Sequence, residues 1–209
     1  MQNTKEEHRA AIKELAEEAL ADHVISAEQE EGPVRMWLCH RPGTGMYHYR
    51  VISAPRMLTV YGDVGDNIIV NHDKDMVEWL RKAIRSPEYV ISKFVYRPTE
   101  FFDDSAKELL NRLIEEARET DEELGYNIDE DDNKIIGMYE SEATKFKVNV
   151  LNDWDSEYDD GHDFAKAFYN NGGDVEYLNS VSDYNSSVYW TLECLKKFVE
   201  LYDNLHKDA

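Results

Sequence analysis

Apolar positions along this chain follow two rhythms, and the change from one to the other separates its parts. Residues 34–73 show no helical period. Turn signals at Pro42-Gly43-Thr44-Gly45, Ala54-Pro55 and Gly62-Asp63-Val64-Gly65-Asp66 cut them into pieces at 34–41, 46–53, 57–61 and 67–71. Each piece has the length of an ordinary strand, and the connections are too short for parallel crossovers, so the pattern predicts a four-stranded antiparallel meander. Alternation puts Arg35, Trp37, Cys39 and Arg41 on one face of the first strand and Val34, Met36, Leu38 and His40 on the other. In the second strand Tyr47, Tyr49 and Val51 oppose His48, Arg50 and Ile52. One sheet face is expected to be apolar and covered by helices, the other to collect Arg, His and aromatic rings.

Elsewhere apolar residues recur every three or four positions. Residues 4–22 predict a helix with a stripe of Ala11, Ile12, Leu15, Ala16, Ala19 and Leu20, opened by a capping box from Thr4 to Glu7. The polar run 26–32 reads as a loop. A second helix over 75–86 takes Asp75 as its N-cap, and 88–96 fits a short helix or a strand, with helix favoured for a compact piece between two prolines. A third runs from Asp103 or Asp104 to about Leu124, with Leu109, Leu110, Leu113, Ile114 and Ala117 inward and acids outward. Residues 126–134 read as a loop, and 135–151 fit either a helix or a pair of short strands. Aromatic residues and acids mix over 153–169 before a stop at Asn170-Asn171-Gly172-Gly173, and a last helix covers 186–206. With no βαβ rhythm, the expected fold is α+β: a four-stranded antiparallel meander packed with several amphipathic helices. A single domain over 1–209 is expected, with 34–73 as its sheet core and 101–209 as its acidic helical part.

Charge adds a second division. Of 44 carboxylates in the 209 residues, 21 fall within 101–163, against 6 basic residues there, whereas 33–100 carry 10 basic and 7 acidic residues. A net charge of −21 disfavours direct nucleic-acid binding, which needs positive potential, and favours a protein partner with a basic surface. The expected partner-binding residues are Glu115, Glu116, Glu119, Asp121, Glu122 and Glu123 on the third helix, with Asp153, Asp155, Asp159 and Asp160 beyond it. Cys39 and Cys194 stand in no metal or redox spacing and are expected as reduced thiols. No apolar run approaches 18 residues, and the charged N-terminal helix is unlike a signal peptide, so a soluble intracellular protein without membrane contact is expected.

Candidate chemistry concentrates around the 62–66 turn. Asp63, Asp66 and His72, with His40 or His48, are an alternative metal or ligand site, as a metal-dependent hydrolase or nucleotide-binding enzyme would need. A tight glycine hairpin and helix capping explain the same residues without chemistry, and the reading leans away from an enzyme; no cofactor is expected. Cys39 and His40 are adjacent strand residues on opposite faces and make no dyad. Counting an EF-hand loop back from Gly161 puts Ser156 first and Ala167 twelfth, so the acids at 153–163 are out of register for calcium.

One resemblance enters here. Tyr49, Arg50 and Val51, then Ala54-Pro55, Leu58, Thr59 and Val60, the Gly62 to Asp66 turn, Val70 and His72, Trp79, Tyr89 and Ser92-Lys93 together are similar to a family of uncharacterised proteins encoded by tailed bacteriophages and prophages. The likeness covers roughly residues 33–115, and the family usually has Pro-Gly where this chain has Pro55-Arg56. It carries no activity. It implies an accessory protein in the cytoplasm of an infected bacterium, which with the acidic helices suggests an inhibitor of a host nucleic-acid-interacting or defence protein that imitates nucleic acid. A homo-oligomeric structural or regulatory phage protein, whose Arg-bearing sheet face meets a neighbour's acidic helices, is the further alternative.

Overall fold

The computed structural model describes residues 5–64, 66–123, 138–154, 162–174 and 181–207. The Thr4 cap and the 126–134 loop lie outside them. The chain forms two compact units, one of residues 1–7 and 99–183, the other of 8–98 and 184–209.

In the second unit, α1 (Lys5–Ala19) leads into five consecutive antiparallel strands: β1 (Val24–Gln29), β2 (Arg35–His40), β3 (Tyr49–Ala54), β4 (Met57–Gly62) and β5 (Asn67–Val70). The α+β class and the antiparallel meander are as expected, with five strands where the sequence pattern predicts four. The extra strand is β1, which overlaps the run read as a loop. It pairs with β2 at the sheet edge, and five of its six residues are exposed, so its sequence has no inward apolar alternation to read. A register shift between Ala27 and Gln29 bulges it, which together with Glu28 blunts the open edge. The far edge, β5, is covered: Val70 N–H donates to the Lys93 carbonyl and Val95 N–H to that of Ile68. The 88–96 stretch is thus a helix only at its start, α3 (Pro87–Ile91), before Phe94 bridges Ile69.

Register puts Trp37, Cys39, Tyr49, Val51, Leu58, Val60 and Ile69 on the buried face. Ile12 and Ala16 of α1 with Leu20 just after it, α2 (Met76–Ala83), Val90 and Ile91 of α3, and α7 (Ser186–Leu205) pack in the same core. Both long-range helix starts are capped by side chains as their positions require. Asp75 accepts from the N–H groups of Val77 and Glu78, each at 3.1 Å, and Asn185 accepts from Ser187 at 3.1 Å. Gly62 is fixed by contact, because a Cβ there would lie 2.3 Å from the His48 carbonyl oxygen. At the Pro55-Arg56 turn, Arg56 takes φ +68°, the left-handed conformation that glycine adopts most readily. Its N–H donates to the Asp73 carbonyl and its carbonyl accepts from Asn71, which hold the main chain there.

The first unit pairs β6 (Thr99–Phe101) with β7 (Ser182–Tyr184) and contains α4 (Asp103–Glu123), α5 (Met138–Asp153) and α6 (His162–Asn170). Residues 135–151, open between helix and strands in the sequence, are helical from Met138. Val148 and Leu151 of α5 are exposed, and among its described side chains Val150 is the one apolar residue fully buried, so no continuous stripe announces the helix. Ala106, Leu109 and Leu110 of α4 meet Val150, Trp154, Phe164, Ala167, Phe168 and Val181 in a core dominated by aromatic rings. Gly172 at φ +95° ends α6, its N–H on the Tyr169 carbonyl and that of Gly173 on Phe168. Among the described residues, no helix is long and apolar enough to cross a membrane.

Candidate functional site

Of the groups proposed as a ligand site at the 62–66 turn, Asp63 and His48 meet, but His72 does not join them. Asp63 lies beside His48, with its carboxylate 2.9 Å from Nδ1, and Asp66 accepts from the Gly62 N–H at 3.0 Å. His72 lies beyond the opposite end of β5, exposed, with its own N–H on the Asn71 side chain. The two aspartates therefore close their own turn, and His72 is remote from both. Among the described residues no group of three or more His, Cys, Asp or Glu is gathered as metal ligands would be.

The thiols are buried. Cys39 and Cys194 are each 0% exposed, and burial pushes the Cys39 thiol up to about 12 and raises that of Cys194 as well. Tyr49 donates to the Cys194 carbonyl at 2.9 Å, anchoring β3 to α7. Beside it, His23 is stacked on Tyr49 at 6.1 Å and its Nε2 lies 2.9 Å from the Tyr47 carbonyl oxygen. Burial lowers the His23 pKa; the Tyr47 carbonyl opposes this, and Arg41 and Lys197 add to the lowering. Its Nδ1 is buried without a hydrogen-bond partner, so a neutral imidazole donating from Nε2 is the form that fits.

On the sheet, three arginines sit against carboxylates of the same unit: Arg35 on Asp75 at 2.7 Å, Arg41 on Asp22 at 3.1 Å, and Arg50 on Glu28 at 3.0 and 3.2 Å. Burial would raise Asp75, but the Glu78 N–H and Arg35 outweigh it and hold its carboxyl below the usual range. The outer sheet face is more apolar than the alternation suggests, with Met57, Tyr61, Ile68 and Val70 between 38% and 48% exposed.

The helical unit distributes its acids differently. Glu108, Glu115, Glu119 and Glu122 recur at steps of seven, four and three, which puts them on one exposed face of α4. Glu115 accepts from Arg118 Nη1 at 2.7 Å, and Glu116 lies 3.6 Å from Arg112. Among the described residues Glu108, Glu119 and Glu122, like Glu142 on α5, have no ion pair. Asp121 is not part of this surface. It is 0% exposed and accepts from the N–H groups of Tyr139 and Glu140 at 3.3 and 2.8 Å, capping α5. Arg118 donates from Nε and Nη2 to Glu140, and Lys147 to Asn111 at 2.6 Å, so α4 and α5 run antiparallel. Asp153 is exposed and accepts from Asn171 at 2.9 Å. Asp155, Asp159, Asp160 and the Glu123 side chain lie outside the described residues.

One surface feature has no trace in the sequence reading. A groove of about 500 Å³ runs between α4 and α5, floored by Leu113, Ala117, Ala143, Phe146 and Phe168 and rimmed by Glu116, Glu142 and Asp174. The α4 contribution was legible as the inward stripe, but α5 shows too little periodicity to identify Ala143 and Phe146 as its facing residues. Comparison of the chain with protein-family models, curated proteins and solved structures gives no match in any of the three.

Proposed function

We propose that the protein acts by binding rather than by catalysis, and that its partner is a protein with a basic surface. The observation that carries this reading is the unequal compensation of charge in the two units. Arg35, Arg41 and Arg50 of the sheet are paired with neighbouring carboxylates, while Glu108, Glu119 and Glu122 on the outward face of α4 have no ion pair among the described residues. An uncompensated acidic row attracts cationic surfaces, speeds encounter and makes binding salt-dependent. The likeness to tailed-phage accessory proteins makes the partner a nucleic-acid-binding or defence protein of the bacterial host, engaged in the host cytoplasm on the surface that nucleic acid would occupy. Self-assembly through the arginines of the sheet has less support, because Arg35, Arg41 and Arg50 already have partners. A metal-dependent enzyme has less still, with His72 remote from Asp63 and Asp66.

The test is retention of host proteins from a bacterial lysate on the immobilised chain at low and at high salt. An identified nucleic-acid-binding protein should be held at low salt and lost when Glu108, Glu115, Glu119 and Glu122 are all changed to Gln. The reading fails if no such protein is held, or if the four substitutions leave its retention unchanged.

A further inference from the structure

The groove between α4 and α5 restricts what kind of basic partner the helical unit suits. We infer that it receives a cationic amphipathic helix, whose apolar stripe lies on the groove floor and whose Lys or Arg side chains flank it. This deepens the reading of the helical unit as a surface for a basic partner and rests on it.

Three observations converge. The floor is apolar, with Leu113 and Phe146 only partly buried, so an apolar occupant would remove their remaining water-exposed area. Both walls are acidic: Glu116 stands on α4 and Glu142 on α5, with Asp174 following α6, and among the described residues no Lys or Arg lines the groove. A nucleotide or other anion would be repelled there, and a second copy of a chain carrying −21 would bring an excess of like charge. An apolar strip between two acidic walls is the counterpart of a helix whose apolar stripe lies between basic residues.

Geometry sets the size of the occupant. The α4 side of the groove extends from Leu113 to Thr120, about 10 Å at the rise of a helix, or two turns. A guest helix would therefore present anchors at i, i+3 or i+4, and i+7. Ala117 and Ala143 keep the floor low, which lets a third helix backbone approach a pair of antiparallel helices.

Two synthetic 18-residue peptides of identical Leu and Lys content provide the probe, one with every Leu on a single helical face, the other scrambled. Titrated into the full chain by calorimetry at 150 mM salt, the amphipathic peptide should bind at least tenfold tighter. Ala117→Gln with Ala143→Gln, which raises the floor using a good helix former, should reduce that ratio to about twofold. Independently, an environment-sensitive dye on Thr120→Cys should shift to the blue on adding the amphipathic peptide, while the same dye on Glu108→Cys should not. Equal affinity of the two peptides overturns the inference, and so does a tenfold ratio that survives in a folded double Gln variant. In either case, binding of both peptides that weakens with salt leaves the charge-based reading standing. If neither peptide binds even at low salt, both readings fall. Concentration-dependent dimerisation abolished by Ala143→Gln would assign the groove to a second copy and also overturn it.

Discussion

The two units use similar materials to different ends. In the sheet unit, Trp37, Tyr49, Leu58 and Ile69 are buried under residues from four helices, a buried hydroxyl finds a carbonyl, and Arg35 and Arg50 find carboxylates close at hand. In the helical unit a smaller core of Phe101, Phe146, Trp154, Phe164 and Phe168 holds three helices, while carboxylates face outward and an apolar floor stays open. Residues that satisfy each other inside a unit stabilise it but are not available to anything else. The helical unit leaves Glu108, Glu119 and Glu122 without ion pairs among the described residues and an apolar floor between acidic rims, and the proposed binding reading rests on that difference.

Breaking the core of the sheet unit should have the largest effect. Trp37 is 1% exposed and packs on Phe198 and Tyr202 at 5.3 and 5.5 Å, so Trp37→Ala should cost about 3–5 kcal/mol in urea denaturation. Next is Asp121. If it belonged to the outward acidic face, its removal would leave stability unchanged and weaken partner binding. As the buried cap of α5 it should do the reverse: Asp121→Ala should lower stability by about 0.5–2 kcal/mol, while variants of Glu119 and Glu122 leave the melting temperature unchanged.

A smaller effect within the sheet unit depends on pH. Because burial holds the His23 pKa below its ordinary 6.5, the unfolded chain takes up a proton before the folded one does. Its effect on stability is absent above pH 6.5; below it stability falls, by at most about 1.4 kcal/mol per pH unit, until the folded pKa is reached. His23→Gln should flatten denaturation midpoints measured between pH 7 and pH 5. Asp75 acts in a separate window: its lowered pKa gives stability that is present above the ordinary 3.8 and lost only as pH falls below it. A slope between pH 7 and pH 5 that persists in the His23 variant would place its origin elsewhere in the chain.

The sequence alone was enough for the parts of this protein whose signal is local. Strands β2 to β5 were legible because each has side chains facing a core on one side and a turn at its end, and α2 and α7 because an apolar stripe recurs along them. Asp75 was recognisable as a cap from its position before a periodic run. The concentration of acid in 101–163 needed only counting. Tertiary structure decided the rest. β1 is a strand because β2 supplies its hydrogen bonds, although its mostly exposed side chains carry no pattern. Asp121 resembled its acidic neighbours on α4 until the chain returned at Tyr139 and Glu140 and presented two N–H groups to it. His72 and Asp66 are close in number yet stand at opposite ends of a strand that extends more than 3 Å per residue. The groove exists only where two consecutive helices fold back to lie side by side. A pattern along the chain records which way a side chain faces relative to its own element. Which group it then meets depends on the path of the chain through space, and that decides whether a carboxylate is a cap, an ion-pair partner or a free charge.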